Sequence, residues 1–229
     1  VIQEVRDTYL QTAHEGLNKL SGALDSSSTA VTLTYDLGGA LPGAELSIDL
    51  ERLHVWAAVG STKSLTVQRG AFRSTAAAHD DGAVVSVNPR YPTAVIFDAL
   101  NAELRSLSGR GLGKVATVDL SYNPAAVGYN LTSVTALTDI LLVTMREPGG
   151  DVLWRPITSY RLDRNMSTTD FASGFSLTMF DTTTTGQTIR VHYLAPFSPF
   201  AAITDNTVSV TALRVAWHDI LVLGTALRL

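Results

Sequence analysis

Between Ala30 and Val87 apolar and polar residues alternate in five short runs, a period of two that buries one face only in extended backbone. The runs are Ala30-Val31-Thr32-Leu33-Thr34, Glu45-Leu46-Ser47-Ile48-Asp49, Leu53-His54-Val55-Trp56-Ala57, Ser64-Leu65-Thr66-Val67-Gln68 and Ala83-Val84-Val85-Ser86-Val87. Turn formers such as Gly38-Gly39 and Gly60-Ser61 separate them. So many strands in so short a stretch predict a small antiparallel barrel or sandwich. A second β-rich block runs from Val115 to Ala202, with strands expected near 115–120, 138–146, 152–154, 157–162, 174–180 and 188–194. The Thr182–Thr185 tract with Gly186 reads as a hairpin tip.

Helical spacing is confined to three places. Ile2, Val5, Tyr9, Leu10, Ala13, Leu17, Leu20 and Leu24 recur at intervals of three and four, predicting a helix from Val1 to Leu24 that ends at Asp25-Ser26-Ser27-Ser28. Pro92 opens a second, with Val95, Ile96, Ala99, Leu100, Leu104 and Leu107 as its stripe and Gly109 and Gly111 as its stop. A third is expected over 210–229, with Leu213, Trp217, Ile220, Leu221, Leu223, Leu227 and Leu229 apolar. The fold class is therefore α+β, mainly β: two small antiparallel β-modules, barrel or sandwich, linked and flanked by three amphipathic helices. The corresponding segments are 1–28, 29–90, 91–111, 112–205 and 206–229.

Composition supports this reading. The 229 residues include 27 Thr and only three Lys, and β-branched side chains favour the pleated surface. Hydrophobic residues make up 45% and charged residues 17%, which excludes a disordered tail. A net charge of −4 leaves no basic footprint for nucleic acid. The absence of Cys excludes disulfides, thiolate zinc sites and a cysteine nucleophile. No apolar run is long enough to span a bilayer, and Val1–Asp7 has no signal-peptide pattern.

Chemistry is sparse. His79-Asp80-Asp81-Gly82 is the densest group of metal-ligand types, but its spacing suits a turn. Gly109–Lys114 lacks the spacing of a phosphate loop and follows a helix rather than a strand. The five His residues (His14, His54, His79, His192, His218) show no paired metal spacing, and no nucleophile elbow is present. Asn130-Leu131-Thr132 and Asn165-Met166-Ser167 match the glycosylation acceptor pattern without a secretion signal to support it. Tyr91, Trp154, Tyr160, Tyr193, Phe197 and Phe200 are expected in a core or a subunit contact rather than on a sugar platform. Trp56, Trp154 and Trp217 all have apolar sequence neighbours. No catalytic residue, cofactor or metal is expected.

One stretch is specific. Leu65-Thr66-Val67-Gln68-Arg69-Gly70 leads through Thr75-Ala76-Ala77-Ala78-His79 and Gly82 into a returning strand, with Glu51 and Trp56 on the strand before it. This resembles a pattern in virion proteins of tailed bacteriophages, in which Val-x-Arg-Gly precedes a Thr-x-Ala-x-x-His-x-x-Gly loop. Asn88-Pro89-Arg90-Tyr91-Pro92 with the helix after it, and Trp217 to Leu229, are similar to the same group. The likeness covers about 50–110 and 210–229 and differs at Arg73-Ser74, where the pattern usually has a Gly.

The resemblance implies a head-to-tail connector (neck or adaptor) protein and no enzymatic activity. Its subunits would form a homomeric ring, with twelve-fold symmetry favoured, that contacts the portal protein and the next neck or tail protein. DNA would pass through the lumen without sequence-specific binding, no membrane would be involved, and the chain would be found in the virion neck after assembly in the host bacterial cytoplasm. A stopper, tail terminator or minor tail protein is the alternative within the virion, and a carbohydrate-binding β-module or β-rich hydrolase outside it. The family-like loop residues are Arg69, Gly70, Thr75, His79 and Gly82. The expected subunit contacts are Leu213, Trp217, Ile220, Leu221 and Leu227, because that helix carries apolar side chains over too wide an arc for a monomer. The loop 69–82 is expected to be a tight connection with His79 hydrogen-bonded to backbone or to an Asp, and residues 210–229 to dock on an adjacent subunit or ring.

Overall fold

The computed structural model describes residues 2–6, 10, 16–134, 136–147, 153–181, 185–205 and 218–229. They divide into two compact units, one formed by 1–104 with 199–229 and the other by 105–198.

The first unit is built on a six-stranded antiparallel sheet. Its strands are β1 (Gly16–Lys19), β2 (Ala30–Thr32), β3 (Glu45–Ile48), β4 (Glu51–Val59), β5 (Ser64–Gln68) and β6 (Val84–Val87), in spatial order β1-β6-β3-β4-β5-β2. The two outermost strands meet just beyond their ends. Leu20 bridges Leu33, the Ser21 N–H donates to the Thr32 carbonyl at 2.8 Å, and the Thr34 N–H donates to that of Lys19 at 2.9 Å. The sheet thus closes on itself, which removes its open edges. Inside lie Leu20, Leu33, Leu46, Ile48, Leu53, Val55, Leu65, Val67 and Val85.

Strands β2 to β6 fall where the alternation put them. Strand β1 does not, because 16–19 is extended and paired to β6, with Gly16 opposite Val87 and Lys19 opposite Val84. The expected helix over 1–24 is therefore corrected at its C-terminal part: α1 is described over Ile2–Val5, whereas residues 16–24 complete the barrel. Leu20 and Leu24 are buried by pairing rather than by a helical stripe, so tertiary hydrogen bonding overrode the local spacing.

Helix α2 (Thr93–Gly109) begins where expected, with the Pro92 carbonyl accepting from the Val95 and Ile96 N–H groups. Helix α3 is described over His218–Arg228, and the earlier part of the expected helix, with Leu213 and Trp217, lies outside the described residues. Val5, Ile96 and Val222 form a small second core where α1, α2 and α3 meet, with Leu10, Tyr91, Ala226 and Leu229 around it. Glu4 bonds His218 at 2.6 Å and Glu103 bonds Arg228 at 2.6 Å, so α3 is fastened near both ends. Gly224 sits against Glu103, where a Cβ would come within 2.7 Å of the carboxylate.

The second unit holds two antiparallel sheets around one core. Strands β7 (Lys114–Ser121), β9 (Asp139–Arg146), β10 (Trp154–Ile157) and β13 (Thr188–Ala195) are ordered β10-β9-β13-β7. Strands β8 (Tyr129–Asn130), β11 (Tyr160–Arg164) and β12 (Phe175–Met179) are ordered β11-β12-β8. Leu131, Val143, Leu177, Ile189 and Val191 are buried between them. Thr182, Thr183 and Thr184 lie outside the described residues. The strands on either side, β12 and β13, belong to different sheets, so this connection joins sheets and is not the hairpin tip expected.

Candidate functional site

The two-residue turn Asp49-Leu50 joins β3 to β4, with Ile48 paired to Glu51 and Asp49 in the left-handed region at φ 52. Glu51 shares the inward parity of Leu53 and Val55, so its carboxylate enters the end of the barrel, where it is fully buried. Arg69, at the end of β5, meets it in bidentate fashion, Nε to Oε1 and Nη2 to Oε2 at 2.8 Å each. The Gly70 and Ala77 N–H groups donate to the same carboxylate at 3.0 and 3.1 Å. His79 Nε2 completes the set at 2.9 Å from Oε2.

Burial opposes the charge on Glu51, but Arg69, the two backbone donors and His79 outweigh it and bring its pKa down from 4.5 to about 2. Arg69 also donates to the carbonyls of Ser28 and Ala77, at 2.8 and 2.6 Å. The 25–28 turn that offers the Ser28 carbonyl is itself wound around Asp25, whose Oδ1 accepts from the Ser27 and Ser28 N–H groups. His79 Nδ1 lies 3.0 Å from Asp49 Oδ2, and its backbone exchanges two 2.8 Å hydrogen bonds with Leu24.

Four of the family-like loop residues serve this clamp or its turns. Arg69, Gly70 and His79 bond Glu51 directly, and Gly82, at φ 78, makes the turn into β6. His79 is hydrogen-bonded to an Asp, as expected of the loop, and also to Glu51, a partner not anticipated. Gly70 is fixed by its surroundings as well as by φ 56, since a Cβ there would lie 3.1 Å from the Ser74 carbonyl oxygen. Of Arg73-Ser74, where this chain differs from the pattern, Arg73 is held in the left-handed region at φ 68, as is the preceding Phe72 at φ 53, and Ser74 is extended.

Thr75 stands apart from the clamp, exposed on the wall of a cleft of about 800 Å³. The loop 72–79 forms one side of this cleft, the first turns of α2 (Ala94, Val95, Asp98) another, and residues 201–204 the third. Asn101 fixes that third wall by accepting from the Phe200 N–H at 2.8 Å and donating to its carbonyl at 3.1 Å. Asp49 and His79 also line the cleft. Both His79 ring nitrogens are engaged, and the Ser74 hydroxyl bonds the backbone of Arg52 and Ala71. No group of three or more His, Asp or Glu among the described residues is arranged to hold a metal ion.

Two placements differ from expectation. Leu221 is fully buried inside its own chain, so it is removed from the subunit-contact candidates, whereas Ile220 is 50% and Leu227 80% exposed. Trp56, expected among apolar neighbours, is 61% exposed on the outside of the barrel. There it packs edge-on to His54 at 4.9 Å, and His54 meets Phe72 at 6.2 Å. The alternation of Leu53 and Val55 with His54 and Trp56 carried that signal. Of the other aromatics, Tyr193, Phe197 and Phe200 are buried, and Trp154 is half-buried under the Arg190 guanidinium, 4.4 Å from its ring centre.

No protein-family model and no curated protein matches this chain. No described helix is long and apolar enough to cross a membrane.

Proposed function

We propose that this chain is a structural subunit of a tailed-bacteriophage virion, a head-to-tail connector that forms a homomeric ring around the DNA channel between portal and tail. The observation that carries this reading is the clamp. The residues that bear the resemblance are spent on closing one end of a small barrel, with Glu51, Arg69 and His79 bonded to each other and to backbone. That is an architectural use, and it leaves those groups no role as nucleophile, base or ligand. The exposed apolar side chains on α3 support an assembly role, because a monomer gains nothing from presenting them to water.

Native mass spectrometry and electron microscopy of the purified chain test the reading. Closed rings with a central opening, twelve-fold in the favoured case, are the expected result. A chain that stays monomeric at high concentration and in the assembled particle alike overturns it.

The exposure of Trp56 beside His54 and Phe72 favours a second reading, a carbohydrate-binding module that stacks sugar rings on this face. Saccharide binding that is lost in Trp56→Ala while the barrel stays folded would establish it in place of the first.

A further inference from the structure

Helix α3 has two apolar faces. Leu221, Val222 and Thr225 point inward, with Val222 packed on Val5 and Ile96. Ile220, Leu223 and Leu227, at intervals of three and four, form an outward stripe that nothing in the described chain covers, and Leu223 is 47% exposed. Helix α2 separates this stripe from the cleft. Ile96 and Glu103, seven residues apart, share the face of α2 that receives α3, whereas Ala94 and Asp98, four apart, share the opposite face and line the cleft. The stripe of one molecule therefore cannot fill its own cleft.

Resting on the ring reading above, we infer that the outward stripe of α3 seats in the cleft of a second copy of this chain. Charge argues for that occupant. The stripe is flanked by the exposed Asp219, Arg228 on its other side being held by Glu103, and the cleft carries the exposed Arg73 on its loop wall. Neither Arg73 nor Asp219 forms an ion pair with another described residue, so Asp219 meets Arg73 when the stripe docks. Two different surfaces on opposite sides of one helix make a heterologous contact, which repeats head to tail and closes into a ring when the rotation permits.

The chain has no Cys, so paired cysteines report this contact without background. The variant carrying both Ala78→Cys and Leu227→Cys, mildly oxidised at high concentration, should give a ladder of covalent multimers, and each single variant should stay uncross-linked. Arg73→Glu and Asp219→Arg should each weaken assembly tenfold or more, and the double variant should restore it. Both residues are exposed, so the fold is expected to survive, which circular dichroism checks. Absence of the ladder, dimers from either single variant, or no rescue by the double variant overturns the inference. Closed rings without the Ala78–Leu227 bond retire this contact and leave the connector reading standing. A ladder of open chains that never close keeps the contact and removes the connector ring.

Discussion

Glu51 keeps its charge where water cannot solvate it, and only the donors around it make that possible. Removing one member of such a pair strands the other as a buried, uncompensated ion, which costs about 3–5 kcal/mol. Glu51→Gln is expected to destabilise the first unit by that order, measured by chemical denaturation. Its pH dependence has a definite sign. The folded carboxyl titrates near 2 and the unfolded one near 4.5, so the stabilisation is complete above about 4.5 and is lost as pH falls toward 2. The difference in melting temperature between wild type and Glu51→Gln should therefore shrink across that window. Asp25 and Asp119, also held below the usual carboxylate range, contribute equally to both proteins and drop out of the difference. Arg73 gives a change of opposite direction. A left-handed conformation costs a non-glycine residue about 1–2 kcal/mol, so Arg73→Gly should raise the thermal midpoint by a few degrees. The members of the clamp stood out in the sequence as a pattern. Their partnership did not, because Glu51 lies 18 positions from Arg69 and 28 from His79, and no local rule links such distances.

At the scale of elements, alternation proved a sufficient guide wherever a strand had one buried face, as β2 and β5 do. It failed for β1, where Leu17, Leu20 and Leu24 happen to fall at helical intervals. Leu17 points to solvent and β6 supplies the pairing, a fact that lies some 70 residues further along. The inner and outer faces of α3 were likewise indistinct, since its sequence is apolar nearly all round and only Val5 and Ile96 decide which side is in. Close backbone approaches are the least legible of all. Gly113 precedes β7 with no unusual φ, yet a Cβ there would stand 2.3 Å from the carbonyl oxygen of Ala195 on β13. Gly113→Ala should force the two strands apart and lower stability by about 1–3 kcal/mol, read from equilibrium unfolding.

For the whole molecule, the order of units along the chain was not readable from periodicity, which predicted modules in series. Instead residues 105–198 interrupt the first unit, whose last elements return after Pro199. Departure and return are fixed on each side of the junction: Asn101 holds Phe200 in the first unit, and the Phe197 N–H donates to Ser108 Oγ at 3.0 Å in the second. A chain with 105–198 replaced by a short flexible linker should therefore retain the barrel. Dispersed methyl resonances from its Leu and Val core would show this, and a collapsed spectrum would refute it. The late return of α3 also sets a clock on synthesis. The barrel and α2 are complete once Gly109 has been made, but the apolar seat formed by Val5 and Ile96 stays open until residues 218–229 follow. At about 5–20 residues per second, that interval lasts roughly 6 to 24 seconds. Throughout it a nascent chain carries a folded barrel with an open apolar seat, so α3 of a chain further along the same message has time to occupy that seat first.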